Sequence, residues 1–205
     1  MTERMKDLAS KIVRLQRELD REIESRRKSL GYAIRDRIVE FESGIVYEHR
    51  LFKTTIGNLV AEAPLRMFVT APVIYSLIVP LVLLDMWVGA YQAICFRAYR
   101  IPRVTRSHYI VFDRQHLAYL NWIEALNCLF CAYGNGLIGY VREVSSRTEQ
   151  FWCPIKHALR VSDPHRRYYE FLEYGDAEGY RTRLEAFREK LRSELVEKST
   201  GRGPS

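Results

Sequence analysis

The chain has 205 residues and a formal net charge of +7 at pH 7, with 47% hydrophobic and 28% charged residues. This composition excludes a disordered chain and a polytopic membrane protein, and the length allows one or two domains with a buried core. The positive charge favours an anionic partner, such as a lipid surface or a nucleic acid.

Residues 1–62 are predicted to form a charged, amphipathic, coiled-coil-like segment of one long helix or two. Apolar residues recur there at steps of three or four, and charged residues fill most positions between them. So narrow a stripe favours a coiled coil, or a helix lying on a partner, over a core helix. We therefore expect a protein partner or self-association through residues 5–45. The stripe comprises Leu8, Ile12, Leu15, Leu19, Ile23, Leu30, Ile34, Ile38, Phe41 and Ile45.

Residues 63–96 form an apolar segment. The 18 residues Met67–Leu84 are uncharged, and Asp85 is the only charge between Arg66 and Arg97. This length approaches the roughly 20 apolar residues that cross a bilayer. The segment therefore predicts membrane association, although two prolines also suit a buried helical hairpin of a soluble domain. Asp85 would need a partner or a position at headgroup depth, because a carboxylate is costly in hydrocarbon.

The topology of this segment has two solutions. A single span fits its length better. A re-entrant hairpin instead satisfies the positive charge on both flanks, because basic residues prefer the cytoplasmic face. We favour the hairpin, with the soluble parts on the cytoplasmic side.

Residues 97–112 are predicted to be a basic, aromatic connector at the membrane interface. Arginine side chains bind lipid phosphates, and tyrosine rings lie at headgroup depth. The same mixture would suit nucleic acid, which the preceding apolar segment makes a weaker hypothesis. The interface residues are Arg97, Arg100, Arg103, Arg106, Tyr99 and Tyr109.

Residues 113–161 are predicted to form a Cys-rich antiparallel helical hairpin that turns at the Gly-Asn-Gly of residues 134–136. Cys128 and Cys131 are one helical turn apart, as are Cys153 and His157 if the second helix continues. Three thiolates and an imidazole suit a tetrahedral Zn²⁺ ion in a structural role. The first 30 residues contain no apolar signal region, so we expect reduced thiols.

Other ligand sets remain open for this region. Cys95 could replace His157, and an all-cysteine site would favour iron. Cys128, Cys131 and Cys153 come level only if the turn lies near residue 140 or 141, beyond Gly139. A turn centred on Gly136 instead aligns a second set for two metals, comprising His116, Glu124, Glu149 and His157. The last alternative is that the cysteines only pack as small apolar residues, with no metal bound.

Residues 162–198 are predicted to end in an amphipathic helix that Asp176 caps, and residues 199–205 to be a disordered tail. The fold prediction is mainly α. The functional prediction is a membrane-associated scaffold or assembly protein with one metal ion, Zn²⁺ more readily than iron, at a site facing the cytoplasm. The alternatives are a membrane-bound redox protein that uses iron at the same cysteines, and a nucleic-acid binder. The sequence favours a protein without enzymatic activity.

Overall fold

The computed structural model of the chain describes residues 3–29, 32–35, 38–41, 43–53, 55, 57, 61 and 63–199. Over these residues the chain is mainly helical, as the sequence predicts. It divides into two units. One consists of residues 1–65 with 112–129, and the other of residues 66–111 with 130–205.

The first unit begins with a long helix, α1 (Glu3–Ser29), and a two-stranded hairpin. Strands β1 (Tyr32–Arg35) and β2 (Ile38–Phe41) pair antiparallel, with Tyr32 opposite Phe41 and Arg35 opposite Ile38. A short helix, α2 (Ser43–Leu51), follows.

The hairpin corrects the prediction that the apolar stripe continues along helices through residue 45. Residues four apart share a face in a strand as well as in a helix, so the spacing of Ile34 and Ile38 did not distinguish the two. Composition favours strands here, because β-branched and aromatic residues dominate these eight positions. Leu30 lies outside the described residues.

The second unit contains the apolar helix, a single run over Leu65–Tyr99 that is long and apolar enough to cross a membrane. It consists of α3 (Leu65–Ser76), α4 (Ile78–Tyr91), a π-helical turn (Gln92–Phe96) and α5 (Arg97–Tyr99). The helix loosens at Leu77 because Pro80, three residues later, has no backbone N–H to donate. The run does not reverse direction, so the predicted re-entrant hairpin is wrong.

Helix α6 (Trp122–Trp152) is continuous through the predicted Gly-Asn-Gly turn, so the Cys-rich hairpin is also wrong. The glycine at position 136 provides space for close packing. A Cβ there would lie 2.6 Å from the carbonyl oxygen of Tyr109 and 2.8 Å from the Cα of Ile110. Glycine is therefore required by the approach of another backbone segment rather than by a turn.

The chain after α6 returns through a short 3₁₀ helix (Arg166–Glu170) to the last helix, α7 (Ala177–Ser199). Asp176 caps α7 as predicted, because its carboxylate accepts a hydrogen bond of 2.8 Å from the N–H of Gly179. Of the predicted tail, only Ser199 is among the described residues.

The core of the second unit joins the apolar helix, α6 and α7 through fully buried side chains that include Phe96, Leu137 and Leu191. A charged cluster secures α7. Arg167 donates to both carboxylate oxygens of Glu194, at 2.6 and 2.9 Å, and to Glu143 at 3.2 Å. Glu143 also accepts from Arg147 at 2.8 Å. Burial alone would raise the pKa of the Glu143 carboxyl, but hydrogen bonds and charge from the two arginines outweigh burial and hold this pKa below its ordinary value.

Candidate membrane-interface site

Between Met67 and Ile94, the exposed face of the apolar helix carries no charge. Every exposed side chain from Met67 to Ile94 is uncharged, and none of the side chains of α3 or α4 is buried. The two exposed hydroxyl groups are satisfied within the helix. Thr70 donates to the carbonyl of Arg66 at 2.8 Å, and Ser76 donates to that of Val73 at 2.7 Å. A surface of this kind can face hydrocarbon without an unpaired polar group.

Asp85 is the one charged residue within this apolar run, and it has partners. Arg106 donates to both carboxylate oxygens, from Nη2 at 2.5 Å and from Nε at 3.1 Å. The hydroxyl of Tyr133 donates to the same carboxylate at 2.9 Å. The bidentate geometry and the third donor neutralise the charge that the sequence marked as costly.

A second polar contact holds the connector against the helix. Gln92 accepts a 2.6 Å hydrogen bond from the N–H of Val104, and its amide donates to the carbonyl of Val104 and to the hydroxyl of Tyr140 at 3.3 and 3.0 Å. Gln92 is buried and begins the π-helical turn. By fixing Val104, this contact positions Arg106 beside Asp85.

The chain reverses at the end of the apolar helix through Arg100, which adopts the left-handed conformation at φ 55°. The N–H of Ile101 donates to the carbonyl of Phe96 at 2.8 Å, which closes the helix, and Pro102 prevents its continuation. The reversal allows residues after 100 to pack back along the helix.

The predicted interface residues separate into two groups. Arg97, Arg100 and Arg103 are exposed and have no carboxylate partner among the described residues. Arg106 instead pairs with Asp85, and this hydrogen bond raises the pKa of its guanidinium.

The two tyrosines of this set contact protein. The ring of Tyr99 packs on Phe151 and Trp152, with centroids 5.5 and 5.1 Å apart, although the residue keeps an exposed edge. Tyr109 is half-buried and its ring lies 6.4 Å from that of Tyr140. For Tyr109, an interfacial position stays a prediction.

The pair of Asp85 and Arg106 yields a stability prediction. Arg106→Ala leaves Tyr133 as the only partner of the Asp85 carboxylate. We expect the free energy of unfolding to fall by about 2 kcal/mol, because an unpaired, largely buried charge is costly. Replacing Asp85 by Leu in the same chain should recover at least about half of this loss. Thermal unfolding in detergent measures both variants. Arg103→Ala is the control and should stay within about 0.5 kcal/mol of the original chain. An Arg106→Ala loss no larger than that of the control would contradict the role of the pair.

The continuous α6 separates the predicted metal ligands. Cys131 lies 21 residues before the end of the helix at Trp152, which corresponds to about 31 Å along its axis, and Cys153 follows directly. One ion cannot bind both thiols of a single chain, whether the metal is zinc or iron. Over the part of the chain that the structure describes, no group of three or more His, Cys, Asp and Glu side chains is placed to hold a metal ion.

The alternative ligands have other environments. Glu124 accepts from the N–H of Asn121 at 2.9 Å, and Asn121 caps α6 in return, so this carboxylate helps to start the helix. Glu149 bonds to the ring of His165 at 2.7 Å. The ring of His157 stacks on Tyr168, with centroids 6.2 Å apart.

The remaining two candidate ligands are separated by the division into units. Cys95 is half-buried within the π-helical turn of the second unit. His116 lies in a 3₁₀ turn (Arg114–His116) of the first unit, where its ring contacts the side-chain amide of Gln115 at 3.0 Å.

Sequence reasoning missed Gln92, Tyr133 and Tyr140. Gln92 could have been found, because its amide lies two helical turns beyond Asp85 in an apolar run, and a polar group there requires a partner. The two tyrosines carried no such signal, since tyrosine is common in cores and at interfaces alike. No protein-family model, curated protein or solved structure matches the chain.

Proposed function

We propose that this chain is a membrane-anchored assembly protein, in which the apolar helix fixes the chain in a bilayer and α1 joins it to a second copy. The observation that carries the anchor is the uncharged exposed face of the apolar helix from Met67 to Ile94, with its hydroxyls internally bonded. A soluble protein rarely exposes so long an apolar surface.

The dimensions of the helix support a single span. The uncharged residues Met67–Leu84 extend about 27 Å, close to the hydrocarbon thickness of about 30 Å. The Asp85–Arg106 pair then lies at headgroup depth, where water and lipid phosphates tolerate its charge. The exposed ring of Trp87 lies at the same level, which suits an aromatic residue at a membrane surface.

The unpaired arginines orient the span. Arg97, Arg100 and Arg103 all follow the apolar stretch, and a concentration of basic residues favours the cytoplasmic face. We therefore place the Tyr99 end of the helix in the cytoplasm. In a single span, the Leu65 end of the helix itself lies at the opposite face of the bilayer.

Helix α1 is the assembly surface of the proposal. Its stripe is 42–59% exposed at every position from Leu8 to Ile23, in a helix otherwise rich in charge. Leu8, Ile12, Leu15 and Leu19 follow the alternating spacing of a coiled-coil seam. The stripe consists of Leu8, Ile12, Leu15, Leu19 and Ile23.

Charge complementarity favours an antiparallel second copy as the occupant of this seam. Lys11 and Glu18 flank the stripe on one side. In an antiparallel pair, each lysine faces the glutamate of the other copy, whereas a parallel pair sets Lys11 beside Gln16 and Glu18 beside Ile23. The antiparallel arrangement therefore gains two ion pairs that the parallel arrangement lacks.

Sedimentation of the whole chain in detergent tests the assembly surface. We expect the original chain to dimerise and a chain with Ile12→Lys and Leu19→Lys to be monomeric. The dissociation constant of this variant should rise at least about a hundredfold, because each copy would bring two charges into the seam. The control carries Ser10→Lys and Asp20→Asn, which add the same net charge at exposed positions on the outer face of the helix, and should remain dimeric. A monomeric original chain, or a dimer unaffected by the seam lysines, would refute the α1 interface.

A further inference from the structure

We infer that α6 also enters the membrane, and that its residues Phe130–Ile138 lie beside the apolar helix within one leaflet. This inference rests on the proposed anchor, and it identifies lipid acyl chains as the partner of the exposed surface of α6. The sequence does not mark this part of α6 as a membrane segment, because asparagine, glycine and tyrosine lower its average hydropathy.

The contacts of α6 place these residues at the depth of the hydrocarbon stretch. The ring of Phe130 packs edge-on against Tyr75, with centroids 5.7 Å apart. A Cβ on Gly134 would lie 3.5 Å from Cδ1 of Leu81, which is an ordinary contact distance, so the two helices are neighbours there. Tyr75 and Leu81 both belong to the uncharged stretch that ends before Asp85. Whatever surrounds them must therefore also surround this part of α6.

The surface of this part of α6 is compatible with acyl chains. No charged residue occurs between Glu124 and Arg142, a run of 17 residues. The exposed positions of the inserted part are Cys131, Asn135 and Ile138. Asn135 donates from its amide to the carbonyl of Cys131 at 2.9 Å, so its N–H₂ group has a partner within the helix. This repeats the internal bonding of Thr70 and Ser76 on the apolar helix.

Polar contacts mark the end of the inserted part. The hydroxyl of Tyr133 reaches the carboxylate of Asp85, as expected for a tyrosine whose ring is in hydrocarbon and whose hydroxyl is at the boundary. One turn beyond Ile138, Arg142 is exposed and pairs with Asp163 at 3.2 Å. Phe130–Ile138 therefore covers about 14 Å along the helix axis, roughly one leaflet.

The depth of Cys131 tests the inference directly. The whole chain, with its other three cysteines replaced by serine, is spin-labelled at Cys131 and reconstituted in vesicles of phosphatidylcholine and phosphatidylglycerol. Collision rates with oxygen, which concentrates in hydrocarbon, and with a water-soluble nickel complex report the depth. Two further chains retain no native cysteine and carry the label at Val79→Cys in the anchor or at Ser145→Cys. Position 145 is exposed on α6, about 21 Å beyond Cys131. Circular dichroism verifies the fold of each chain.

We expect the oxygen-to-nickel ratio at Cys131 to resemble that at Val79→Cys. It should exceed the ratio at Ser145→Cys by at least about tenfold, which corresponds to about 1.4 kcal/mol of partitioning. A water-like ratio at Cys131 with a hydrocarbon-like ratio at Val79→Cys would overturn the insertion of α6 and leave the anchor intact. Water-like ratios at both positions would overturn the anchor as well. If the thiol of Cys131 does not react with the label, the label is placed at Ile138→Cys instead, and the same outcomes apply there.

Discussion

Replacing Leu77 and Val79 by Asp should release the chain from the membrane fraction. Both side chains are exposed on the apolar helix, near the middle of its uncharged stretch. Each carboxylate near the centre of a span costs about 3 kcal/mol, and the two together about 6 kcal/mol. We expect the original chain to resist extraction by alkaline carbonate and the double variant to appear mainly in the supernatant.

A matched control is available in the same chain. Leu159 and Val161 have the same residue types at the same spacing, and both are exposed in the segment between α6 and the 3₁₀ helix. Replacing them by Asp adds the same charge and should leave the chain in the pellet. If the Leu77 and Val79 variant is retained as fully as this control, the apolar helix is not the anchor. Release of both variants would point to a general loss of folding, which circular dichroism detects.

Outside the apolar helix, removing Arg167 should be the most destabilising change in the second unit. The guanidinium joins Glu143, Glu194 and the side chain of Gln150, and it is 18% exposed. Arg167→Ala leaves two carboxylates close to Arg147 alone. We expect the free energy of unfolding to fall by about 3 kcal/mol, because breaking a buried ion pair leaves an unpaired charge with little access to water.

Thermal unfolding measures this effect as a fall in melting temperature of about 6 to 12 °C. Lys190→Ala is the comparison, because Lys190 pairs with Glu170 on the surface and both side chains are more than half exposed. An exposed pair contributes at most about 1 kcal/mol. A shift for Arg167→Ala no greater than that for Lys190→Ala would show that the buried cluster does not hold α7 in place.

Several features could be predicted from the sequence because each depends on neighbours along the chain. The uncharged run ending at Leu84 identified a helix suited to a membrane, and Asp176 identified the start of α7. The need of Asp85 for a partner also followed from the sequence, since a carboxylate in an apolar run is costly wherever the fold places it. The stripe from Leu8 to Ile23 marked α1 as an exposed amphipathic helix.

The predicted Cys-rich hairpin, on which the single-ion site depended, is wrong because glycine serves two structural purposes. Gly134 and Gly136 were interpreted as a turn, whereas the first lies beside Leu81 and the second admits the backbone of residues 109 and 110. A local pattern does not distinguish a chain reversal from a close approach of a distant segment. Without the turn, about 31 Å of helix separates Cys131 from the end of α6 next to Cys153, which is too far for the two thiols to share one ion.

The sequence by itself therefore determined the helical class, the apolar helix, the exposed stripe of α1 and the requirement for a partner at Asp85. Only the tertiary structure decided which residue meets that requirement, because Arg106 and Tyr133 are 21 and 48 residues away along the chain. Likewise, only the tertiary contacts show that the glycines of α6 serve packing rather than a turn. Local preferences act over a few residues, whereas side-chain packing joins segments that are far apart along the chain. A local sequence pattern does not indicate which distant segments will come together.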